Sequence, residues 1–318
     1  MIAFRSYIIA FFLVFASVSG FAAESQGEDS HPASAEDVAA HVEHGDDEHA
    51  EGGHHGLPPN AVPLFKIGPF WVTNSMIATW IVAALIILMS QLAAKDAKLI
   101  PSGMQNFWEW LVEELYGLFE GILGPDLVKR TFWFLATIFI FILATNWFGL
   151  IPGLGTIGWG AEDASGHFIV AKPLMRGVNA DLNMTAAMAL LFFVLWCIWA
   201  IQANGVKGFI EHIFALKGHG GGFMGLFLIG VFLLVGVIEV ISISVRPVAL
   251  MFRLYGNVFA GENILETVMH LGGLWLGWLI VLPFYMLELL VGLVQALVFA
   301  LLTSVFTALM CVHEEGAH

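Results

Sequence analysis

The stretch Ile241–His270, ISISVRPVALMFRLYGNVFAGENILETVMH, lies inside an apolar run that begins at Phe223 and ends only near His270. Leu271–Gly273 then reads LGG, and a second apolar run follows from Trp275 to Val312. Each run is about forty residues long. As helix that is on the order of 60 Å, at roughly 1.5 Å per residue, against a hydrocarbon core of about 30 Å. Ordinary tilt does not absorb a factor of two. Pro247 and the LGG turn are the strongest punctuation, so the pattern predicts a long hairpin of two strongly tilted helices.

Composition places the rest of the chain in the same solvent. Hydrophobic residues make up 58% of the 318 and charged residues 12%, with a mean hydropathy of +0.83. A water-soluble domain has no core large enough for that apolar surface, so the class is an all-α polytopic membrane protein. Three shorter crossings precede the hairpin, at Ser75–Ala94, Thr131–Ile151 and Asn183–Ala203, five crossings in all. Between the first two, MQNFWEWLVEELYGLFEGIL from Met104 is amphipathic. Phe107, Trp110, Leu111, Leu115, Leu118 and Ile122 form its apolar face, and Glu109, Glu113, Glu114 and Glu120 lie elsewhere. Four carboxylates argue against spanning and for a helix in the interface plane.

The first 23 residues, MIAFRSYIIAFFLVFASVSGFAA, combine one early positive charge (Arg5), a short apolar core and small residues near Ala22 and Ala23. They read as a secretory signal peptide. Residues 24–56 hold ten acidic residues, six histidines and no Lys or Arg, and carry most of the net charge of −14. Such a segment reads as a disordered, exported, solvated tail rather than a metal site. Residues 57–318 form the membrane domain. With the N-terminus outside, Lys95, Lys98, Lys129, Arg130, Lys207, Lys217 and the C-terminus fall in the cytoplasm, as the positive-inside rule asks. Lys172 and Arg176 fall outside and run against it. Cys197 and Cys311 are far apart in apolar runs, and no metal or cofactor site is expected.

Ionisable groups within a membrane are costly and by default functional. The hairpin carries Glu239, Arg246, Arg253, Glu262, Glu266 and Glu288, with Asn257 and Gln295 as neutral polar company. At about 100° per residue, Glu239, Arg246 and Arg253 share one stripe, flanked by Asn257. Glu239 and Arg246 read first as an ion pair or as snorkelling groups, and second as groups at a channel mouth. Arg253 is different. An arginine keeps its proton, and the small residues Ala249, Gly256 and Ala260 beside it supply no anion. That bare face lets another helix approach closely, so the anion is expected from a docking partner. Glu262 points away from the arginine stripe, and Glu288 and Gln295 share a face of the last helix.

RPVALMFRLYGNVFAGE, followed by LELLVGLVQALVF in the last helix, resembles subunit a of the bacterial F-type ATP synthase, the membrane stator of its ion channel. Supporting stretches are NWFGLIPG at Asn146–Gly153 and ADLNMT at Ala180–Thr185, and the resemblance runs from about Leu57 onward. It implies a non-catalytic membrane subunit with two aqueous half-channels, through which protons load and leave the carboxylates of a rotating c-ring and so couple the gradient to ATP synthesis. It implies that Arg253 is the essential arginine facing that ring, and that Asn257, Glu262, Glu288 and Gln295 serve proton translocation. Glu239, Arg246 and Asp181 are candidates for the channel mouths. Some members have His where this chain has Glu288, and an acid where it has Gly149; Asp181, Glu162 and Asp163 are alternatives at the outer entrance. The implied partners are the c-ring of small proteolipid hairpins, peripheral-stalk subunit b, the catalytic head and the lipid bilayer, with no nucleic acid. The implied location is the bacterial inner membrane, N-terminus periplasmic and C-terminus cytoplasmic.

Two other classes fit less well. A secondary transporter carries broken helices in both halves, whereas the polar residues here gather in one hairpin. A haem subunit needs axial histidines within spans, whereas His167, His212, His219, His313 and His318 lie in loops or at the end.

Overall fold

Five helices long and apolar enough to cross a membrane make up most of the described chain. They are α1 (Asn74–Ala94), α2 (Met104–Gly149), α3 (Leu182–Phe214), α4 (Phe223–Leu271) and α5 (Gly273–Cys311). This computed structural model describes residues 61–67, 70–95, 98–162, 168–214 and 223–311. The expected signal peptide and acidic tail, Asp163, Lys217 and everything after Cys311 lie outside the described residues. Two short antiparallel hairpins occupy the connections: β1 (Pro63–Ile67) with β2 (Phe70–Thr73), and β3 (Gly158–Glu162) with β4 (Phe168–Pro173). They leave the all-α class unchanged.

The long hairpin is as continuous as its apolar runs suggest. α4 has 49 residues and α5 has 39, about 74 and 58 Å of helix at ~1.5 Å per residue. α4 runs through Pro247 and α5 through Pro283. The turn between them depends on glycine. Gly273 takes φ +61°, and a side chain at Gly277 would stand 2.5 Å from the carbonyl oxygen of Met269. The two backbones therefore meet almost directly where they reverse.

Two helices bend at glycines that lie just outside the expected crossings. In α2, Gly124 adopts φ 76° and ψ 168° immediately before Pro125. Proline disfavours helical backbone in the residue before it, and glycine takes the positive φ at little cost. The kink separates the amphipathic stretch from the apolar one. Trp108, Leu115, Phe119 and Leu123 turn inward, whereas Phe107, Trp110 and Leu118 remain exposed. The packed stripe is therefore rotated from the expected apolar face, of which Leu115 alone is buried. In α3, Gly205 takes φ 70° and ψ 164°, so helix resumes over residues 206–214, beyond the expected end at Ala203. This second piece lays Phe214 against Gly236 of α4, so closely that a Cβ on Gly236 would overlap the ring.

The buried core sits between α2, α3 and α5, built from Phe134, Leu135, Ile138, Phe141, Met184, Met188, Phe192, Ala296 and Phe299. Polar side chains pin it at both ends. Near one end, Asn146 Nδ2 donates to the Gly292 carbonyl at 3.0 Å and Trp147 Nε1 to that of Leu289 at 3.2 Å. Near the other, Trp196 Nε1 donates to Phe306 O at 3.1 Å and Asn204 Nδ2 to Met310 O at 2.7 Å. These bonds set the axial register of α5 against α2 and α3. α4 contributes little to the core, and its Leu233, Val237, Ile241, Val248 and Phe252 are exposed.

Candidate functional site

One end of the bundle gathers polar groups from five separate segments. A 3₁₀ turn, Val178–Ala180, lies between β4 and α3 and packs against α1, α2, α3 and α4. Just before it, Arg176 is only 5% exposed, and just after it Asp181 is 2% exposed. Asp181 accepts hydrogen bonds from the Ser75 hydroxyl of α1 and, at 3.0 Å, from the Asn183 backbone N–H. Burial raises the Asp181 carboxyl above its ordinary range, opposed by the Ser75 and Asn183 bonds and by the Arg176 charge. Considered from sequence as a channel mouth, Asp181 stands within the protein wall. Asn179 Nδ2 donates to Asn146 Oδ1 at 2.6 Å and lies 2.8 Å from the Thr145 hydroxyl, tying the turn to α2.

Glu262 of α4 reaches into this cluster. Its carboxylate rests on Gly177, where a Cβ would collide with Oε1, and Gly149 of α2 lies against the same oxygen. Glu288 of α5 crosses to α4 in the same manner, its carboxylate filling the space where Gly261 has no side chain. Adjacent residues of one helix, Gly261 and Glu262, thus receive one carboxylate and project another. Arg176, Glu288 and Glu266 all act electrostatically on Glu262.

Asn257, Glu262, Glu288 and Gln295, grouped from the sequence, line one narrow cleft together with Asn146, Gly149 and Gly292. Its volume is about 10 Å³, room for roughly one water molecule. Asn257 Nδ2 donates to Gln295 Oε1 at 2.8 Å across the two hairpin helices. Gln295 is buried at 4% exposure.

Arg253 does not join them. It lines a separate groove of about 410 Å³ with Ser242, Val245, Arg246, Ala249, Leu250, Leu302 and Phe306. One helical turn separates Arg253 in the groove from Asn257, which with its partner Gln295 lines the cleft. Arg253 is exposed, and next to it Gly256 has nothing within 4 Å of where a side chain would start. The face around Arg253 is therefore open, as its small residues suggest. Farther along the groove, Arg246 pairs with Glu239 at 3.4 Å and sits 4.9 Å from the Phe306 ring. Arg246 is thus ion-paired and also lines the groove, to which Glu239 is tied through the pair.

Sequence reasoning missed Arg176, Gly177, Asn146 and Asn179 as members of the site. A signal for Arg176 existed: it is one of two cations against the positive-inside bias. The other, Lys172, is exposed, whereas Arg176 is buried among the polar groups.

Comparison with known proteins follows the same residues. Positions 76–308 match the family model described as ATP synthase A chain. The chain is 32% identical over 247 residues to the ATP synthase subunit a of Moorella thermoacetica, covering 78% of this chain and 94% of the relative. It is 34% identical over 251 residues to that of Protochlamydia amoebophila, covering 76% and 82%. It is 30% identical over 270 residues to that of Desulfotalea psychrophila, covering 83% and 94%.

Proposed function

The chain belongs to the ATP synthase subunit a family, the multi-pass membrane subunit of the F-type complex, and on that premise we propose how its polar groups move protons. The cleft of Asn257, Glu262, Glu288 and Gln295 is the outer half-channel, and the groove of Arg246 and Arg253 is the inner one. Arg253 stands between them facing the c-ring. A rotor carboxylate crosses lipid cheaply only when neutralised by a proton. Arg253 favours the ionised form as each carboxylate arrives, so the proton leaves on one side and a new one is taken on the other. Being permanently charged, the same guanidinium repels protons that would pass directly from cleft to groove.

The observation that carries this reading is the separation of two cavities by one turn of α4, Arg253 in one and Asn257 bonded to Gln295 in the other. The open face around Arg253 and Gly256 supports a docking partner that brings the missing anion, which fits a ring of small hairpins each with one membrane carboxylate. Glu262 and Glu288, held side by side through Gly177 and Gly261, serve as proton way stations. Subunit b and the catalytic head complete the assembly, and this chain itself neither makes nor splits ATP. The protein lies in the bacterial inner membrane, its N-terminus periplasmic and its C-terminus cytoplasmic.

Arg253→Ala tests the proposal. The assembled complex in inverted membrane vesicles is expected to lose ATP-driven acidification. Normal coupled acidification in that variant refutes the assignment.

A further inference from the structure

Among the described residues Arg176 is the one buried cationic side chain and Asp181 the one buried acid. A buried guanidinium cannot shed its proton, so the fold must place negative charge beside it. It does so twice. Arg176 acts electrostatically on Asp181, five residues on, and on Glu262 from a different helix. The connection is also geometric. Gly177 follows Arg176 directly, and the bare α-carbon of Gly177 is the surface on which the Glu262 carboxylate rests. The remaining charged groups acting on Glu262 are Glu288 from α5 and Glu266 from its own helix, both acidic. From α2 it meets Gly149, which carries no charge. Among these charged groups, Arg176 is therefore the single cation set against several carboxylates.

We infer that Arg176 is a second fixed cation of the proton path, a positioning residue that seats Glu262 over Gly177 and divides its charge between Glu262 and Asp181. The inference rests on the proposed role of Glu262 as a way station in the outer half-channel. Asp181 then acts as a competitor. Held by Ser75 and the Asn183 N–H, it draws part of the guanidinium's field, and its charge determines how much Glu262 feels. Removing the cation and removing the competitor must move proton exchange in opposite directions.

The test uses the whole complex in inverted vesicles, with initial rates of ATP-driven acidification measured against the starting luminal pH. The lumen corresponds to the outer face. A cation beside a carboxylate favours its ionised form, so Arg176→Gln should move the luminal midpoint to higher pH, by about one unit. Asp181→Asn should move it to lower pH by a smaller amount. Arg176→Lys, which keeps the charge, should stay near the unsubstituted midpoint. A side chain that merely braces the fold would change assembly or maximal rate without opposed midpoint shifts. If Arg176→Gln fails to assemble, the other two variants decide: an acid shift in Asp181→Asn with an unmoved Arg176→Lys supports the inference. Unchanged midpoints, or shifts in the same direction, overturn it. Arg253→Ala measured alongside separates the two readings. If it still pumps, the translocation path itself is wrong and the inference falls with it. If it is silent while Arg176→Gln superimposes on the unsubstituted complex, only the inference is wrong.

Discussion

Gly177→Ala should cut ATP-driven acidification to between a tenth and a hundredth of its normal rate. The backbone there, φ −52° and ψ 122°, is open to any residue, so alanine brings no conformational strain. The cost is steric. A Cβ at this position falls onto Oε1 of Glu262 and lies 3.2 Å from the carboxyl carbon. Unstrained contact between such atoms is about 3.5 Å or more, so the carboxylate must withdraw by on the order of 1 Å. Misplacing a reacting group by about that much costs up to roughly 10²-fold in rate, the source of the estimate. Overpacking a tight site also costs about 1–3 kcal/mol of stability, so rates are compared only between equally assembled complexes. Vesicle acidification and ATP hydrolysis are followed together, and the expected signature is a fall in both. The double variant Gly177→Ala/Glu262→Asp supplies an internal check. The shorter acid retracts by one methylene from the new methyl group and should recover part of the rate. A normal rate in a fully assembled Gly177→Ala complex would mean that Glu262 does not work from its seat on Gly177.

Two further perturbations address stability. Gly236→Ala drives a methyl group into the Phe214 ring, which is stiff and close, and should destabilise the contact between α3 and α4 by about 1–3 kcal/mol; a thermal midpoint in detergent equal to that of the unsubstituted protein would refute this packing. For Asp181, burial raises the folded-state carboxyl above its unfolded value. The folded protein then holds that proton more tightly, so this group's contribution to stability falls as pH rises from the ordinary carboxylate range through the folded value. Asp181→Asn should flatten that part of the profile, and thermal unfolding followed upward from about pH 4 checks it: a steeper decline in the variant would contradict the sign.

Much of the membrane architecture is legible because lipid imposes one rule, that spanning backbone must be helical and apolar. The five runs follow from it, with the LGG turn reversing the last two, whereas the break at Gly124–Pro125 went unread between the amphipathic stretch and the second crossing. The second piece of α3 was not legible. Residues 206–214 lie beyond a glycine and beside Lys207 and Glu211, which reads as loop until Phe214 finds Gly236. The sequence also pointed to Arg253 and Asn257, since helical phase alone places small residues around the arginine and the asparagine one turn on, whereas Gln295 was linked to them by the family resemblance. Arg176 escaped because it lies in a connection, where no periodicity assigns a face.

The sequence by itself determined the solvent, the number of long helices and the order of polar residues along each. It also specified that Arg253 would stand on a cleared face, because 100° per residue relates positions within one helix without reference to any other. Tertiary structure decided what meets between helices. Bonds from Asn146, Trp147, Trp196 and Asn204 lock α5 in register. That register brings Glu288 onto Gly261 and Gln295 onto Asn257, while the 3₁₀ turn carries Arg176 and Gly177 to Glu262. Crossing angle and axial shift are properties of packed surfaces, set by which side chains interlock and where glycine lets backbones close in. A single helix's pattern carries no record of them.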